Sequence, residues 1–426
     1  MREGSTLKTA EGAQVNKHSA LFLLLIVGVF NFVDRQIVGV LAVPIKADLG
    51  LNDTELGLMG GLAFALFYAS MGIPIALLSD RFSRTWIITI CLMVWSAMTA
   101  LCGLAHSFWH LFLARVGVGV GEAGSAPATY SLISDYFPSE QRARALGAYS
   151  FCIPIGSAVG VVSGGIIATN IDWRAAFLGV GLLGLLFAPV FRFLVREPLR
   201  GRYDQVAAAP SSVSFKATVR MLFSKRSFWL LSLGAAFATM VAYGLFFWLP
   251  SFFVRSYGLS LMEASLAFGG LLVLGGIPGI WFGGYLVDRL GKTHKRAYAT
   301  IPAMAFFVTI PLYAFGVLAP TFDLLFLLML IPIALGLAWV GPVISAIQHI
   351  VKPHMRAMAS AVMLLITNLV GLGIGTVLMG YISDNFQSQF GANSLRYSIL
   401  AASVFYLLGG TFFMLAAKRL EQDWES

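Results

Sequence analysis

Apolar residues occur along this chain in unbroken blocks of about twenty, separated by short polar breaks. A helix of about 20 apolar residues is long enough to cross the roughly 30 Å hydrocarbon core of a membrane. Because that core offers the backbone no water, only helices or a closed barrel can cross it. Blocks such as residues 21–33 and 324–337 are continuous and do not alternate with polar positions, which excludes a barrel. The pattern therefore predicts an all-α polytopic membrane protein.

Twelve such blocks are present, and each is predicted to form one membrane-spanning helix, here called a span. The predicted spans are residues 20–44, 54–78, 85–105, 108–134, 143–168, 174–195, 228–254, 262–287, 297–318, 321–349, 357–383 and 396–417. The longest polar break lies between the sixth and seventh spans. We therefore expect two six-helix bundles, residues 1–196 and 227–426, joined by a cytoplasmic linker, residues 197–226.

Two local patterns refine this division. Apolar and basic side chains are interleaved over residues 213–225, which fits either a short amphipathic helix on the membrane surface or a loose basic linker. Asn52, followed three residues later by Glu55, has the pattern of a helix-start cap before the second span.

Charged residues are scarce and unevenly placed. Only 12% of residues are charged, about half the share of a soluble protein. With both termini in the cytoplasm, 23 of the 29 lysines and arginines fall in cytoplasmic segments and 4 on the other side, while Arg35 and Arg115 fall inside spans. This asymmetry predicts cytoplasmic termini and a multi-pass protein of the inner (plasma) membrane. The net charge of +9 is then a topology signal, and no nucleic-acid partner is expected.

Four charged residues lie well inside predicted spans: Asp34 and Arg35 in the first, Arg115 and Glu122 in the fourth. A charge at the bilayer centre costs roughly 2.5–3.5 kcal/mol on the insertion scale, so such residues are functional candidates. Arg115 and Glu122 are two helical turns apart, about 10 Å along the axis, which argues against a direct salt bridge between them. Each is expected to meet a group on another helix, and Asp34 is the first candidate.

A buried carboxylate beside an arginine is poised between two protonation states, because burial and the arginine act on it in opposite directions. We therefore predict that Glu122 and Asp34 take up and release protons. Arg115 and Arg35 are the predicted partners of an anionic headgroup. The alternative is a static ion-pair network that holds the two helices together.

A cavity between the halves is expected to have one charged and one mostly apolar wall. The fourth span presents a charged face, while Gly117, Gly121 and Gly124 form an opposite face that lets a neighbouring helix approach. The seventh and tenth spans carry no charge in their interiors. Such a cavity suits an amphiphile. The predicted lining residues are Asn31, Gly119, Thr129, Tyr243, Phe247, Trp248, Trp339, Ser345, Gln348 and Asn368.

Two short segments repeat between the halves. Ile75–Arg84 closes the second span and Gly284–Lys292 closes the eighth, with their aspartates, Asp80 and Asp288, 208 residues apart. Basic loops also follow the fourth and tenth spans, 214 residues apart. The chain is therefore predicted to be an internal duplication with parallel halves.

The form Gly-x-x-x-Asp-Arg-x-Gly-Lys at Gly284–Lys292 resembles the loop signature of the major facilitator superfamily, and the resemblance covers the whole chain. The first-half copy differs, with Ala76 and Ser83 where glycines are usual. In that superfamily the acidic residue caps a neighbouring helix and pairs with loop arginines, which holds the outward-open state. The resemblance implies a gating role for Asp80, Arg81, Arg84, Arg142, Arg144, Asp288 and Arg289. A plain basic turn is the alternative.

Further segments resemble the spinster branch of that superfamily. They are Asn31–Arg35, Arg115 with Gly121–Ala123, Ile153–Ser157, Asp172–Arg174 and Arg196–Gly201. That branch includes carriers of sphingosine phosphates and lysophospholipids, some of them linked to protons. The resemblance therefore implies a lipid-like substrate.

These patterns predict a secondary active transporter that moves an amphipathic anionic or zwitterionic, lipid-like substrate by alternating access, coupled to protons. Proton-coupled export of drugs or hydrophobic metabolites is the second hypothesis, and a non-transporting membrane sensor is the third. No nucleophile–base pair or metal cluster is visible in the sequence, so no enzyme, metal or cofactor is predicted. Cys91, Cys102 and Cys152 are expected to be buried small hydrophobes. The expected partners are the substrate, protons and the bilayer, and the expected state is a monomer.

Overall fold

The computed structural model describes residues 16–200, 203, 221–291, 293–351 and 355–424. Within these residues the chain is helical almost throughout and contains no β-strand. The side chains of Asp80 and Asp288 lie outside the described part. So do residues 204–220, which hold most of the predicted amphipathic helix; residues 221–224 are helical.

Twelve helical passages are present in the described ranges, as predicted. In the first half they are Lys17–Val40, extended by Ala42–Leu49; Asp53–Gly57 continued through Leu58–Leu62 and Ala63–Arg81; Arg84–Cys102; Phe108–Glu122 with Ser125–Tyr136; Ser139–Ser150 with Cys152–Asn170; and Trp173–Leu194. In the second half they are Arg226–Tyr257; Leu261–Leu271 continued through Leu272–Gly276 and Ile277–Leu290; Ala297–Val317; Phe322–Leu337 with Val340–His349; Arg356–Thr367 continued through Asn368–Leu372 and Gly373–Phe390; and Ser394–Ala402 with Val404–Asp423.

Length and hydropathy alone select ten candidate membrane spans among the described residues. The tenth, Ala359–Asp423, is 65 residues long and contains both the eleventh and the twelfth passages. The fourth passage is not selected, because the interruption after Glu122 divides it into helices of 15 and 12 residues, each too short to be counted as a span. The difference between ten and twelve therefore comes from the merging of the last two passages and from the break in the fourth span.

Irregular turns recur at matching places in the two halves, which supports the predicted duplication. The second span contains a π-helical turn at Leu58–Leu62, and the eighth contains one at Leu272–Gly276, 214 residues later. The fourth span is interrupted after Glu122 and the tenth after Leu337, 215 residues later. Both offsets agree with the spacing of the repeated loops.

The connections after the second, fourth, eighth and tenth spans, which are rich in arginine and lysine, define what we call the basic face. The other loops define the opposite face. The halves pack closely near the opposite face: a Cβ added to Gly57 would lie 2.6 Å from the Thr376 carbonyl oxygen, and one added to Gly39 would lie 3.0 Å from Phe247 Cα. Gly165 of the fifth span similarly contacts Ser265 of the eighth. These glycines let the backbones of the two halves touch, which closes the opposite face.

Inside the first half, glycines of the fourth span set its distance from two neighbours. A Cβ at Gly121 would lie 2.6 Å from the backbone nitrogen of Trp95 on the third span. A Cβ at Gly119 would lie 2.6 Å from the carbonyl oxygen of Phe64 on the second. The predicted close approach at the small-residue face is confirmed for Gly121. Gly119 makes a backbone contact of the same kind, with Phe64.

Candidate functional site

The carboxylate of Asp34 and the guanidinium of Arg115 form an ion pair in the core of the first half. Arg115 Nη1 lies 2.7 Å from Asp34 Oδ2, and each side chain is only 1% exposed. The hydroxyl of Thr99 on the third span contacts the other oxygen, Oδ1. Asp34 therefore meets a cation on one side and a hydroxyl on the other, and the predicted meeting of Arg115 with Asp34 is observed.

A second ion pair joins the neighbouring residue of the first span to the fourth span. Arg35 Nε lies 2.9 Å from Glu122 Oε2, and the Glu122 side chain is fully buried. Glu122 Oε1 has no hydrogen-bond partner among the described residues, and the same holds for Arg115 Nε. Asp34 and Arg35 are consecutive residues of the first span, and their partners, Arg115 and Glu122, are seven residues apart on the fourth. Both ion pairs therefore join the same two helices.

Aromatic rings from the first and second spans surround the Arg35 guanidinium. Its central carbon lies 4.7 Å from the ring centre of Tyr68, 4.9 Å from that of Phe64 and 5.4 Å from that of Phe32. The Phe64 ring also lies 5.6 Å from the Arg115 guanidinium carbon, so it contacts both cations. Aromatic faces attract such cations, and their low polarity strengthens the two ion pairs.

Two pockets meet at Arg35. One lies within the first half, between Glu122 and the basic face, and has a polar lining that includes Asn31, Tyr68, Ser125, Tyr130 and Tyr149. The other lies between the halves, toward the closed opposite face, and is lined by Arg35, Arg115, Phe64, Tyr243, Phe246 and Phe247. Three of the predicted lining residues, Asn31, Tyr243 and Phe247, therefore border a pocket.

The remaining predicted lining residues occupy varied positions. Trp248 is fully buried in this structure, and its indole N–H donates to the Thr376 carbonyl at 2.9 Å. Thr129 is also fully buried in this structure.

In the second half, four further predicted lining residues lie on the tenth and eleventh spans. Gln348 is exposed, and Ser345 is half-buried with its carbonyl oxygen 2.8 Å from the His349 ring. Trp339 is 8% exposed, and Asn368 begins the π-helical turn Asn368–Leu372.

Arg84, one of the predicted gate residues, is buried at the centre of a charged cluster at the basic face. Its Nη1 lies 2.5 Å from Asp135 Oδ2 and its Nε lies 2.7 Å from Glu197 Oε1. Neither carboxylate was predicted from the sequence as a partner. Burial acts to raise the pKa of Glu197, but hydrogen bonds from the Thr85 backbone N–H, from Arg84 and from Ser83 outweigh it and hold that pKa below its usual value. The cluster therefore holds Glu197, shortly after the end of the sixth span, against the start of the third span.

The other predicted gate residues at the basic face are more exposed. Arg142 donates to the Ser134 carbonyl oxygen at 2.9 Å. The side chains of Arg81, Arg144 and Arg289 are exposed.

At the opposite face, Asp53 binds groups from both halves. Arg255 Nη1 and Nη2 each lie 2.7 Å from its carboxylate, Ser383 donates to it at 2.7 Å, and Lys46 Nζ lies 2.6 Å away. Its side chain is fully buried. The sequence contains a signal for this site, because basic residues are rare on the opposite face. Of the four that are expected there, Lys46 and Arg255 bind Asp53.

The carboxylate of Asp384 completes this contact between the halves. It accepts the backbone N–H groups of Asp53 at 3.0 Å and Thr54 at 2.7 Å, and the Thr54 hydroxyl at 2.6 Å. An acidic group at a helix N-terminus also interacts favourably with the helix dipole. The predicted capping box of Asn52 and Glu55 is confirmed at the same helix start. We call Asp53, Thr54, Arg255, Ser383 and Asp384 the inter-half latch.

Among the described residues, no group of three or more His, Cys, Asp or Glu side chains could hold a metal ion. Cys91, Cys102 and Cys152 are all buried free thiols, as expected.

The two six-helix halves are in contact at one face, and paired charges are buried between helices of the first half. This arrangement is typical of a membrane transporter of the alternating-access type. The family model described as "Major Facilitator Superfamily" matches residues 24–376. The chain belongs to the major facilitator superfamily, and within it resembles the spinster proteins.

Similar proteins agree with this assignment. A protein of Mycolicibacterium smegmatis named "MFS-type efflux pump" is 34% identical over 407 residues, 95% of this chain and 94% of that protein. "Protein spinster homolog 1" of Xenopus tropicalis is 27% identical over 436 residues, 96% of this chain and 82% of that protein. A solved structure of a bacterial homolog of the human lysosomal transporter Spinster, inward-facing and unoccupied, superposes with a TM-score of 0.91 at 32% identity and covers 97% of this chain and 100% of that chain. A D-xylose–proton symporter at 16% identity, with a TM-score of 0.71, shares the fold.

Proposed function

We propose that this transporter is proton-coupled and that it carries an amphipathic anionic or zwitterionic, lipid-like substrate. The observation that carries the proposal is the pair of buried ion pairs between the first and fourth spans. Each pair leaves one polar atom without a partner among the described residues, Glu122 Oε1 and Arg115 Nε. Because a buried, unsatisfied polar atom costs about 1–3 kcal/mol, both atoms are candidates for binding something that arrives during transport.

Glu122 is the first candidate for the proton. Its unpartnered oxygen belongs to a residue that borders the polar pocket on the side of the basic face, which offers a route for a proton. Asp34 is the second candidate, because both of its oxygens are already engaged, by Arg115 and by Thr99. A charge in so apolar a setting is favourable only while it is paired.

Charge balance links the proton to the substrate. The four charges of Asp34, Arg35, Arg115 and Glu122 sum to zero, and a proton on Glu122 makes the sum +1. Arg35 then loses its anionic partner, and an anionic headgroup at Arg35 restores neutrality. A proton and an anionic headgroup therefore bind more tightly together than separately, which is a coupling free energy of the kind that transport requires.

The lining of the pocket between the halves supports an amphipathic substrate. Arg35 and Arg115 supply cations on the first-half side, whereas Phe246, Phe247 and Leu372 supply an apolar surface on the second-half side. A phosphate or carboxylate headgroup fits the first surface, since a guanidinium binds either through paired hydrogen bonds. The second surface has the apolar character that a hydrocarbon tail needs, and the pocket, about 20 Å³ in this closed arrangement, would have to widen to admit the tail. The resemblance of Asn31–Arg35 and the other segments to the spinster branch implies the same class of substrate.

We propose further that the basic face is cytoplasmic, as the lysines and arginines indicate, and that the protein is a monomer of the inner membrane. With the latch closed, the site then faces the cytoplasm, which agrees with the inward-facing state of the similar bacterial structure. Alternating access would open the latch at the opposite face, while Asp80, Arg84 and Arg142 and the matching Asp288 and Arg289 would hold the basic face closed.

Export of drugs or hydrophobic metabolites is the second candidate function. It is favoured by the "MFS-type efflux pump" of Mycolicibacterium smegmatis, which is 34% identical to this chain. The two buried ion pairs of the first and fourth spans would then serve proton coupling. The substrate would bind mainly to the apolar surface of the pocket between the halves.

The test is flux through proteoliposomes that contain the purified full chain. Three labelled probes distinguish the candidates: a lysophospholipid, a short-chain organic anion and a lipophilic cation. We expect transfer of the lysophospholipid, reduced at least tenfold by Arg115→Gln, because the headgroup loses a cationic partner. Arg174→Gln, which changes an arginine in a partly exposed pair with Asp48, is the matched control. Transfer of the lipophilic cation alone, with no effect of Arg115→Gln, would establish the second candidate.

A further inference from the structure

Thr99 lies beside Asp34 but belongs to the third span, which carries none of the four buried charges. It is 1% exposed. Its Oγ1 contacts Asp34 Oδ1 and also lies 2.9 Å from the carbonyl oxygen of Trp95, one turn earlier in its own helix. The hydroxyl is therefore within hydrogen-bond distance of two oxygen atoms at once.

The direction of these two hydrogen bonds depends on the charge of Asp34. A hydroxyl has one proton to donate, and a carboxylate and a carbonyl are both acceptors. While Asp34 is ionised, the hydroxyl donates to the carboxylate, since a hydrogen bond to a charged group is the stronger one. Once Oδ1 carries a proton, Asp34 becomes the donor, Thr99 accepts, and the Thr99 proton turns to the Trp95 carbonyl. Both protonation states are then fully hydrogen-bonded at Oδ1.

We propose that Thr99 is a positioning residue for proton coupling, a hydroxyl switch that reverses its hydrogen bond when Asp34 gains or loses a proton. The inference rests on the proposed proton coupling and deepens it, because it specifies how a fully buried carboxylate avoids an unsatisfied polar atom in either state. Without the switch, one of the two states would leave a buried donor or acceptor unpaired.

The surroundings of Asp34 make this hydroxyl the group that can reverse its role. Arg115 on the fourth span donates to Oδ2 and is a donor only, so it cannot accept a hydrogen bond from a neutral carboxyl group. Arg35 is engaged with Glu122, the other titratable group that interacts with Asp34 through space. The buried Cys102 thiol on the third span also interacts with both Asp34 and Arg115, and is a weak donor and acceptor.

Close helix packing holds Thr99 in place. A Cβ at Gly121 of the fourth span would lie 2.6 Å from the Trp95 nitrogen, and one at Gly181 of the sixth would lie 2.5 Å from the Ala100 nitrogen. The third span is therefore fixed on two sides at the level of Thr99. Its hydroxyl can turn about its own C–O bond, and the helix does not need to move.

Hydrogen bonds from a threonine to the carbonyl four residues earlier are common in helices. On that simpler interpretation the contact with Asp34 is only packing. The two interpretations predict opposite rankings for two substitutions: Thr99→Val keeps the shape and removes the hydroxyl, whereas Thr99→Ser keeps the hydroxyl and removes a methyl group.

The two interpretations can be distinguished by infrared difference spectra between low and high pH. The spectra are recorded on the full chain in lipid bilayers. The carbonyl-stretch band of protonated Asp34 is assigned by its loss in Asp34→Asn. We expect Thr99→Val to shift that band to the higher wavenumber of a carboxyl group without a hydrogen bond. Thr99→Ser should leave the band where it is in the unchanged protein.

Each other outcome contradicts a stated part of the proposal. A band that Thr99→Val leaves unchanged and Thr99→Ser shifts would show a packing role, and would overturn the switch while leaving proton coupling intact. Absence of any band assignable to Asp34 would mean that Asp34 does not change protonation state. That result would overturn the switch and leave Glu122 as the proton site.

Discussion

Arg35 donates to one oxygen of Glu122 at 2.9 Å, and the second oxygen of that carboxylate has no hydrogen-bond partner in the part of the chain that the structure describes. The ion pair is thus incomplete on its acidic side. It also stands between a polar pocket of the first half and a pocket between the halves, because Arg35 borders both. Under the proposed function, a proton at Glu122 and an anion at Arg35 would therefore act on the same hydrogen bond.

Removing one charge of the Asp34–Arg115 pair should destabilise the protein more than removing both. Arg115→Gln leaves the Asp34 carboxylate buried without a counter-ion, and removal of one partner of such a pair costs about 3–5 kcal/mol. The double variant Asp34→Asn with Arg115→Gln removes both charges and should recover most of that loss. Thermal unfolding of the purified protein in detergent measures both.

Asp48→Asn provides the control for this comparison, because it removes the acid of a partly exposed pair with Arg174 in the same half. We expect it to unfold close to the temperature of the unchanged protein, since exposed ion pairs contribute little. A double variant that unfolds as early as Arg115→Gln would show that the two charges act independently.

Weakening the inter-half latch should open the opposite face. Asp384→Asn removes the negative charge and one of the two acceptor oxygens that bind the start of the second span. Hydrogen bonds to charged groups contribute about 1.5–3 kcal/mol each. The population of the open state should rise roughly tenfold or more, since about 1.4 kcal/mol is a factor of ten. Distances between spin labels on loops 103–107 and 258–260 report the change.

Glu55→Gln is the matched control for the latch. Glu55 accepts the backbone N–H of Asn52 at the same helix start, but this bond stays within the first half. The distance distribution should therefore not change. An equal shift in both variants would mean that the helix cap, and not the contact between the halves, controls the opening.

Close approach of glycines should be essential to the closed state. A Cβ at Gly61 would overlap Thr376 Oγ1 and lie 2.6 Å from the Leu372 carbonyl oxygen, so Gly61→Ala should keep the opposite face open and abolish transport. At Gly72 of the same span a Cβ would meet only the Ala123 carbonyl at 3.8 Å, an ordinary contact. Gly72→Ala should retain transport, measured as flux in proteoliposomes; if Gly61→Ala does so too, the halves do not need to close this tightly.

The cluster at the basic face should make stability depend on acid. The pKa of Glu197 is held below its usual value of 4.5, so the folded state binds its proton more weakly than the unfolded state does. The stabilisation is fully present above that usual value and is lost as the pH falls through the lower, folded-state pKa. Unfolding midpoints measured down to that range should fall for the unchanged protein, and Glu197→Gln should remove this part of the decline. Parallel declines in both proteins would contradict the role of Glu197.

The parts of the fold that local composition determines could be predicted. Twelve apolar blocks gave the twelve spans, and Asp34 could be matched to Arg115 because a buried cation and a buried anion must find one another. The register of contacts between helices could not be predicted. The pairing of Arg35 with Glu122, and the aromatic rings of Phe64 and Tyr68 around Arg35, depend on how the first, second and fourth spans rotate against each other.

Contacts between the halves were missed for a similar reason. Asp53 and Asp384 are 331 residues apart, and each by itself looks like an ordinary polar residue at the end of a span. The hydrogen bond of Trp248 to the second half's Thr376 could not be predicted, because an aromatic residue in a mostly apolar span does not show which face it occupies. Thr99 was overlooked because threonine is common in membrane helices, and only its contact with Asp34 distinguishes it.

The most direct test of the central claim is lysophospholipid flux through proteoliposomes with and without an imposed pH gradient, for the unchanged protein and for Glu122→Gln. We predict that the gradient accelerates flux in the unchanged protein and has no effect in Glu122→Gln, which still exchanges the probe between the two sides. Flux that responds equally to the gradient in both proteins would contradict the assignment of proton coupling to the Arg35–Glu122 pair.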